Sequence, residues 1–167
     1  PRGLRARDDQ PDACTQCHVD RSRAWAAEHM AGPIGGTTTP ADAAVPSRVE
    51  LDLVGGDPIQ RALAAHALAW PDAVGDPIRR QQALADALDD EYPAVRWFAW
   101  RGLRALSTDA GLKARLEAFD ASADASERVP ISAAVRETLG PSVLAQDPER
   151  MATLQRQRDD RAIEIGE

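Results

Sequence analysis

The chain has 167 residues, of which 43% are apolar and 28% charged, and it carries a net charge of −7. It is long enough for one domain with a core, and too acidic for a nucleic-acid-binding surface. No stretch approaches the roughly 18 consecutive apolar residues of a membrane span. Two cysteines are too few for a disulfide-stapled miniprotein.

The sequence opens Pro1-Arg2-Gly3, with no initiator Met, apolar leader or cleavage motif. It therefore reads as a processed chain or as part of a longer one. Residues 1–13 are polar and aperiodic, which predicts an extended arm. A helix is expected over 15–30, carrying Trp25, Ala26 and Met30. The run from Gly32 to Pro40 breaks any regular element, and a linker to about 46 divides the chain into residues 1–45 and 46–167.

From Asp57 onward the sequence predicts successive helices. Asp57-Pro58-Ile59 and Asp76-Pro77-Ile78 each place Asp at the N-cap and Pro at the first helical position. Behind the first, Ile59, Leu63, His66 and Trp70 fall on one apolar stripe; behind the second, Ile78, Ala85 and Leu88 do. A third start, Tyr92-Pro93, leads a helix whose apolar set is Val95, Phe98, Ala99, Leu103 and Leu106. Trp97 and Trp100 read as core residues of that helix. Further helices are expected near 109–119, 130–139 and 147–164. No strand-length run of β-branched residues occurs, so the expected fold class is all-α. Helices restarting every 17–20 residues suggest an α-solenoid of helix pairs. The segment 89–106, in which Pro-x-Val-Arg leads an alanine-rich helix, resembles part of a HEAT repeat, and that resemblance extends over about 57–140. Gly102 stands where such repeats usually carry Ala, which suggests either drift or a close helix approach.

Chemistry concentrates at Cys14-Thr15-Gln16-Cys17-His18. C-x-x-C-H is the attachment signature of c-type haem. Two thiols one helical turn apart reach the two vinyl groups on one porphyrin edge, and the adjacent imidazole lies under the iron as proximal ligand. A redox dithiol would want a βαβ setting, and a structural zinc would need four ligands from Cys14, Cys17 and two histidines. Idle thiols or a disulfide complete the alternatives. The segment 11–33, where the motif is followed by Asp-Arg and a Trp-Ala helix, is similar to one in multihaem c-type cytochromes. In that family HEAT-like repeats follow the haem segment. The resemblance implies one covalent haem c, electron transfer outside the cytoplasmic membrane, and a periplasmic or extracellular location. It also implies redox proteins or other cytochrome subunits as partners. This chain departs from those relatives in carrying a single motif.

The sixth position on the iron has four candidates of the usual ligand types: His29, His66, Met30 and Met151. On a continuous helix His29 lies about 16 Å beyond His18, too far to share an iron unless the helix breaks. His66 is the preferred ligand; water, an open site or a partner's side chain is the alternative. Trp25 is close enough in sequence to line the haem, and Arg21 and Arg23 are placed to pair with its propionates. The expected function is electron transfer, with the helical repeats as a docking scaffold. No plausible arrangement of catalytic side chains occurs in the sequence. The alternative is a haem sensor or peroxidase-like enzyme with an open sixth position.

Overall fold

The computed structural model describes residues 13–31 and 45–158. The polar arm over 1–12, the Gly32–Pro40 break and the end of the C-terminal helix lie outside the described residues. Within them the chain is all-α. Nine α-helices and one 3₁₀ turn make up its regular structure, and one isolated bridge, His18 to Val74, stands where no strand does. No helix among the described residues is long and apolar enough to cross a membrane.

Where one helix is expected over 15–30, there are two: α1, Ala13–Cys17, and α2, Arg23–Ala31. The break has a local cause. Ser22 caps α2, its hydroxyl accepting the Trp25 N–H at 3.2 Å. Helix α3, Arg48–Gly55, lies between the expected linker, which ends at about 46, and the first helix expected from the sequence, at Asp57. Its start is a capping box, in which Ser47 and Glu50 each bond the other's backbone N–H.

The Asp-Pro starts hold. Helix α4, Pro58–Ala69, begins with Asp57 and Gln60 in a second capping box, and α5, Pro77–Asp86, begins with the Asp76 carboxylate accepting the Ile78 N–H. A 3₁₀ turn, Ala87–Asp89, precedes α6, Pro93–Leu106. Helix α7 spans Ala110–Glu117, α8 Ala125–Leu139 and α9 Pro148–Arg156. Helix α8 starts at Ala125, with Asp124 at the N-cap position, rather than near 130, and Pro130 lies inside it.

Helix α4 packs on α3 and α6, α5 on α6 and α8, α7 on α8, and α9 folds back on α3. Leu68, Leu84, Leu88, Val95, Leu103 and Val135 form the fully buried centre. Three arginines are buried with it, each satisfied by oxygen. Arg61 bonds Asp90 and the Gly56 carbonyl. Arg96 bonds the carbonyls of Asp90, Glu91 and Ala121. Arg80 bonds those of Leu68, Trp70 and Ala73.

Helix α4 turns the opposite way from the sequence expectation. Ile59, Leu63 and Trp70 are 56%, 54% and 49% exposed, and His66 is exposed with them. The buried face is Arg61, Ala64, Ala65 and Leu68. Small residues are selected there because α4 and α6 approach closely: a Cβ on Gly102 would lie 2.6 Å from the Ala69 Cβ and 3.0 Å from Leu84 Cδ1. Drift does not account for Gly102; contact does. Ile78 is likewise exposed, while Ala85 and Leu88 are buried as expected. Val95, Ala99 and Leu103 are buried on α6, with Phe98 and Leu106 packed against them. Trp97 is not a core residue. It is 42% exposed beneath Arg101, whereas Trp100 is half-buried and donates its indole N–H to the Leu116 carbonyl.

Candidate haem-binding site

Five residues, Ala-Cys-Thr-Gln-Cys, form α1, and the i, i+3 spacing puts both thiols on one face of its single turn. Thr15, between them, is wholly buried and fixes that turn to the body of the protein. Both cysteines are free thiols; Cys14 is half-buried and Cys17 exposed. The turn closes with the His18 N–H on the Cys14 carbonyl at 2.9 Å, and the chain reverses with the Arg21 N–H on the His18 carbonyl at 3.0 Å.

That reversal brings α2 back onto the motif. The Trp25 ring lies 5.0 Å from the His18 ring, centroid to centroid, and 4.4 Å from that of His29. His29 also bonds the Trp25 carbonyl through Nδ1 at 2.8 Å. The distance argument against His29 thus loses its premise, because the helix does break and one indole touches both imidazoles. Arg21 lies over the Trp25 ring at 5.4 Å and beside Asp20. Trp25 therefore packs on the proposed proximal imidazole itself, setting its ring plane.

The other side of the motif is tied to the helical scaffold. The Val74 N–H donates to the Cys17 carbonyl at 2.9 Å, the Arg48 N–H donates to the Arg21 carbonyl at 3.0 Å, and Val19 is buried in the core. Gly75 makes the approach possible. Its φ of +149° suits glycine, and a Cβ there would meet the Asp20 Cβ at 3.3 Å. Arg80 pins the same segment from beneath through three carbonyls, and burial pulls its guanidinium below the ordinary arginine value. Alongside, Arg79 chelates Glu50, and that hydrogen bond holds its guanidinium above the ordinary value.

His66 lies on α4 rather than against the motif, its ring edge-on to Trp70 at 5.6 Å and to Phe98 at 5.7 Å. Met151 is on α9, lining a small crevice with Val54, Asp86 and Ala87, as a packing residue would. The Met30 side chain lies outside the described residues. Val74, Gly75 and Arg80, which seat the attachment turn, were not legible in the sequence beyond the turn signal of Gly75 before Asp76-Pro77.

The donor chemistry matches a covalent haem. Two unpaired thiols sit one turn apart, an imidazole follows directly, and the buried Trp25 indole N–H has no acceptor among the described residues. That N–H is available to a carboxylate such as a propionate. Among the described residues no three His, Cys, Asp or Glu side chains are grouped to hold a metal ion, so the zinc alternative lacks its donor set there. No family model, curated protein or solved structure matches this chain.

Proposed function

We propose that the chain transfers electrons through one c-type haem joined to Cys14 and Cys17 and ligated by His18. The observation that carries this reading is the C-x-x-C-H motif on a single docked turn, with the following imidazole braced by Trp25. When bound, the haem supplies a one-electron iron couple. The residues around it hold and orient: the two thiols anchor the ring edge, His18 presents a nitrogen to the iron, and Trp25 restricts the imidazole plane. Exposure of Cys17 leaves the attachment edge at the surface, where a partner's cofactor can approach.

The rest of the chain is a docking scaffold similar to HEAT repeats. Its support is the succession of packed helix pairs, α3 with α4, α5 with α6 and α7 with α8. Its partners are redox proteins or other cytochrome subunits, met in the periplasm or outside the cell, where thioether formation belongs.

The test is production with a cytochrome c maturation system, followed by acid–acetone extraction. The expected protein is red, shows split absorption bands on reduction and keeps its haem through extraction. Cys14→Ser with Cys17→Ser should abolish retention. Haem that extracts freely from the parent protein defeats the reading.

A further inference from the structure

One face of the scaffold has no part in holding a haem. Helices α4 and α6 lie side by side and run the same way: Arg61 stands over the Tyr92 ring, the His66 ring meets Phe98, and Ala69 meets Gly102. Their common outer surface holds four of the eight large apolar side chains exposed among the described residues, Ile59, Leu63, Trp70 and Trp97. Rings join them across both helices, Trp70 to His66 at 5.6 Å, His66 to Phe98 at 5.7 Å and Phe98 to Trp97 at 5.1 Å. The helices make this face about 18–21 Å long. Apolar surface this continuous marks an interface rather than ordinary surface.

We propose that the face binds a second copy of the chain across a twofold axis, with the helices of the two copies antiparallel. The arrangement of charge selects that occupant. Neither α4 nor α6 contains a carboxylate. Exposed Arg101 and Arg104 lie in the C-terminal half of α6, stacked on Trp97 and Trp100, and exposed Glu91 lies just before its start. Reversing one copy on the other sets the Glu91 end of each against the Arg104 end of its mate. The apolar row matches itself under the same operation. Ile59 comes opposite Trp70, Leu63 opposite His66, and Trp97 and Phe98 lie near the axis. A twofold contact demands this kind of self-complementarity.

An acidic partner would suit the two arginines but not the carboxylates at the ends of the face, Glu91 before α6 and exposed Asp72 after α4. A second copy brings both signs. The cost is an approach of Asp72 to Asp57 at the rim, where water and salt screen it and where Asp57 is already engaged in capping α4. The proposal is independent of the haem reading, so loss of haem and loss of the dimer are separate results.

Sedimentation velocity of the full chain over a dilution series tests it. The haem-loaded protein is compared with the Cys14→Ser/Cys17→Ser form, which cannot cross-link through thiols. Both are expected to show a reversible monomer–dimer equilibrium. Leu63→Asp sets a charge in the apolar row and should raise the dimer Kd at least about tenfold. Val129→Asp, on α8, should leave it unchanged. Both side chains are exposed, so the variants should fold, which circular dichroism checks. Glu91→Arg and Arg104→Glu should each weaken the dimer a few-fold, and a chain carrying both exchanges should regain the parent affinity. A monomeric parent overturns the proposal, including the case in which a redox partner binds the face and Leu63→Asp breaks that complex. A dimer indifferent to Leu63→Asp overturns the face. A double exchange no tighter than the single ones overturns the antiparallel pairing.

Discussion

Asp86, at the end of α5, is partly buried and accepts a hydrogen bond from the Ser142 hydroxyl. Burial pushes its carboxyl above the ordinary value of 3.8, against the opposing pull of Ser142 and Arg136. Between 3.8 and the raised value the folded chain therefore binds more protons at this site than the unfolded chain. Stability contributed by Asp86 falls as pH rises through that window, and above it the ionised group is a net cost. Asn keeps an oxygen for Ser142 and cannot ionise. Asp86→Asn should thus be more stable than the parent at neutral pH, the gain shrinking as pH falls and vanishing below the ordinary value. Urea titrations across a pH series measure it, and a gain independent of pH would contradict the burial argument. Residues of this sort are poorly legible in a sequence. Nothing in the sequence marks Arg61, Arg80 and Asp90 as buried, because the carbonyls and side chains that satisfy them are brought together only by the fold.

At the scale of elements, cap chemistry was the legible part. Asp57-Pro58 and Asp76-Pro77 start helices because side-chain oxygen and missing N–H satisfy the first turn locally, with no help from the rest of the chain. Ser47-x-x-Glu50 is a capping box and Ser22 caps α2, yet neither α3 nor the break before α2 was expected from the sequence. The facing of α4 was not legible by hydropathy alone. Its large apolar residues point outward because the contact with α6 requires alanine and glycine, a demand set by the neighbour. Gly102→Ala tests that demand directly. Helix propensity favours Ala by about 1 kcal/mol, but the new methyl would lie 2.6 Å from the Ala69 Cβ. Overpacking of this kind costs about 1–3 kcal/mol, so a net loss of stability is expected by urea denaturation. A stabilised variant would show that α4 and α6 can part without cost.

Over the whole molecule, the C-x-x-C-H segment and the scaffold are joined by few but specific ties. One is the Val74 N–H on the Cys17 carbonyl, and Arg80 holds the segment that carries it. Arg80→Ala removes three hydrogen bonds from one guanidinium and should loosen that segment before it unfolds the core. The expected signature is faster hydrogen exchange at the Val74 amide, by about tenfold or more given the worth of a single charged hydrogen bond. Amides of α7 and α8 should change less, and uniform acceleration would mean that Arg80 supports the global fold instead. The motif itself was readable from spacing alone. Its seat was not, because the residues that form it come from Arg48 and from 74–80, far along the chain.

Thr15 is wholly buried between the two thiols, and Cys14 is half covered once α1 has docked. On the proposed haem reading, a catalyst that joins a porphyrin to both sulfurs must reach a Cys14 thiol that the docked turn half covers. Docking of the turn and covalent loading are therefore rivals in time, decided by rates rather than by equilibrium. On the proposed reading, a chain that docks α1 onto α3 and α4 too quickly would hinder haem loading. On that reading slow docking of the turn, usually a hazard, favours complete haem attachment.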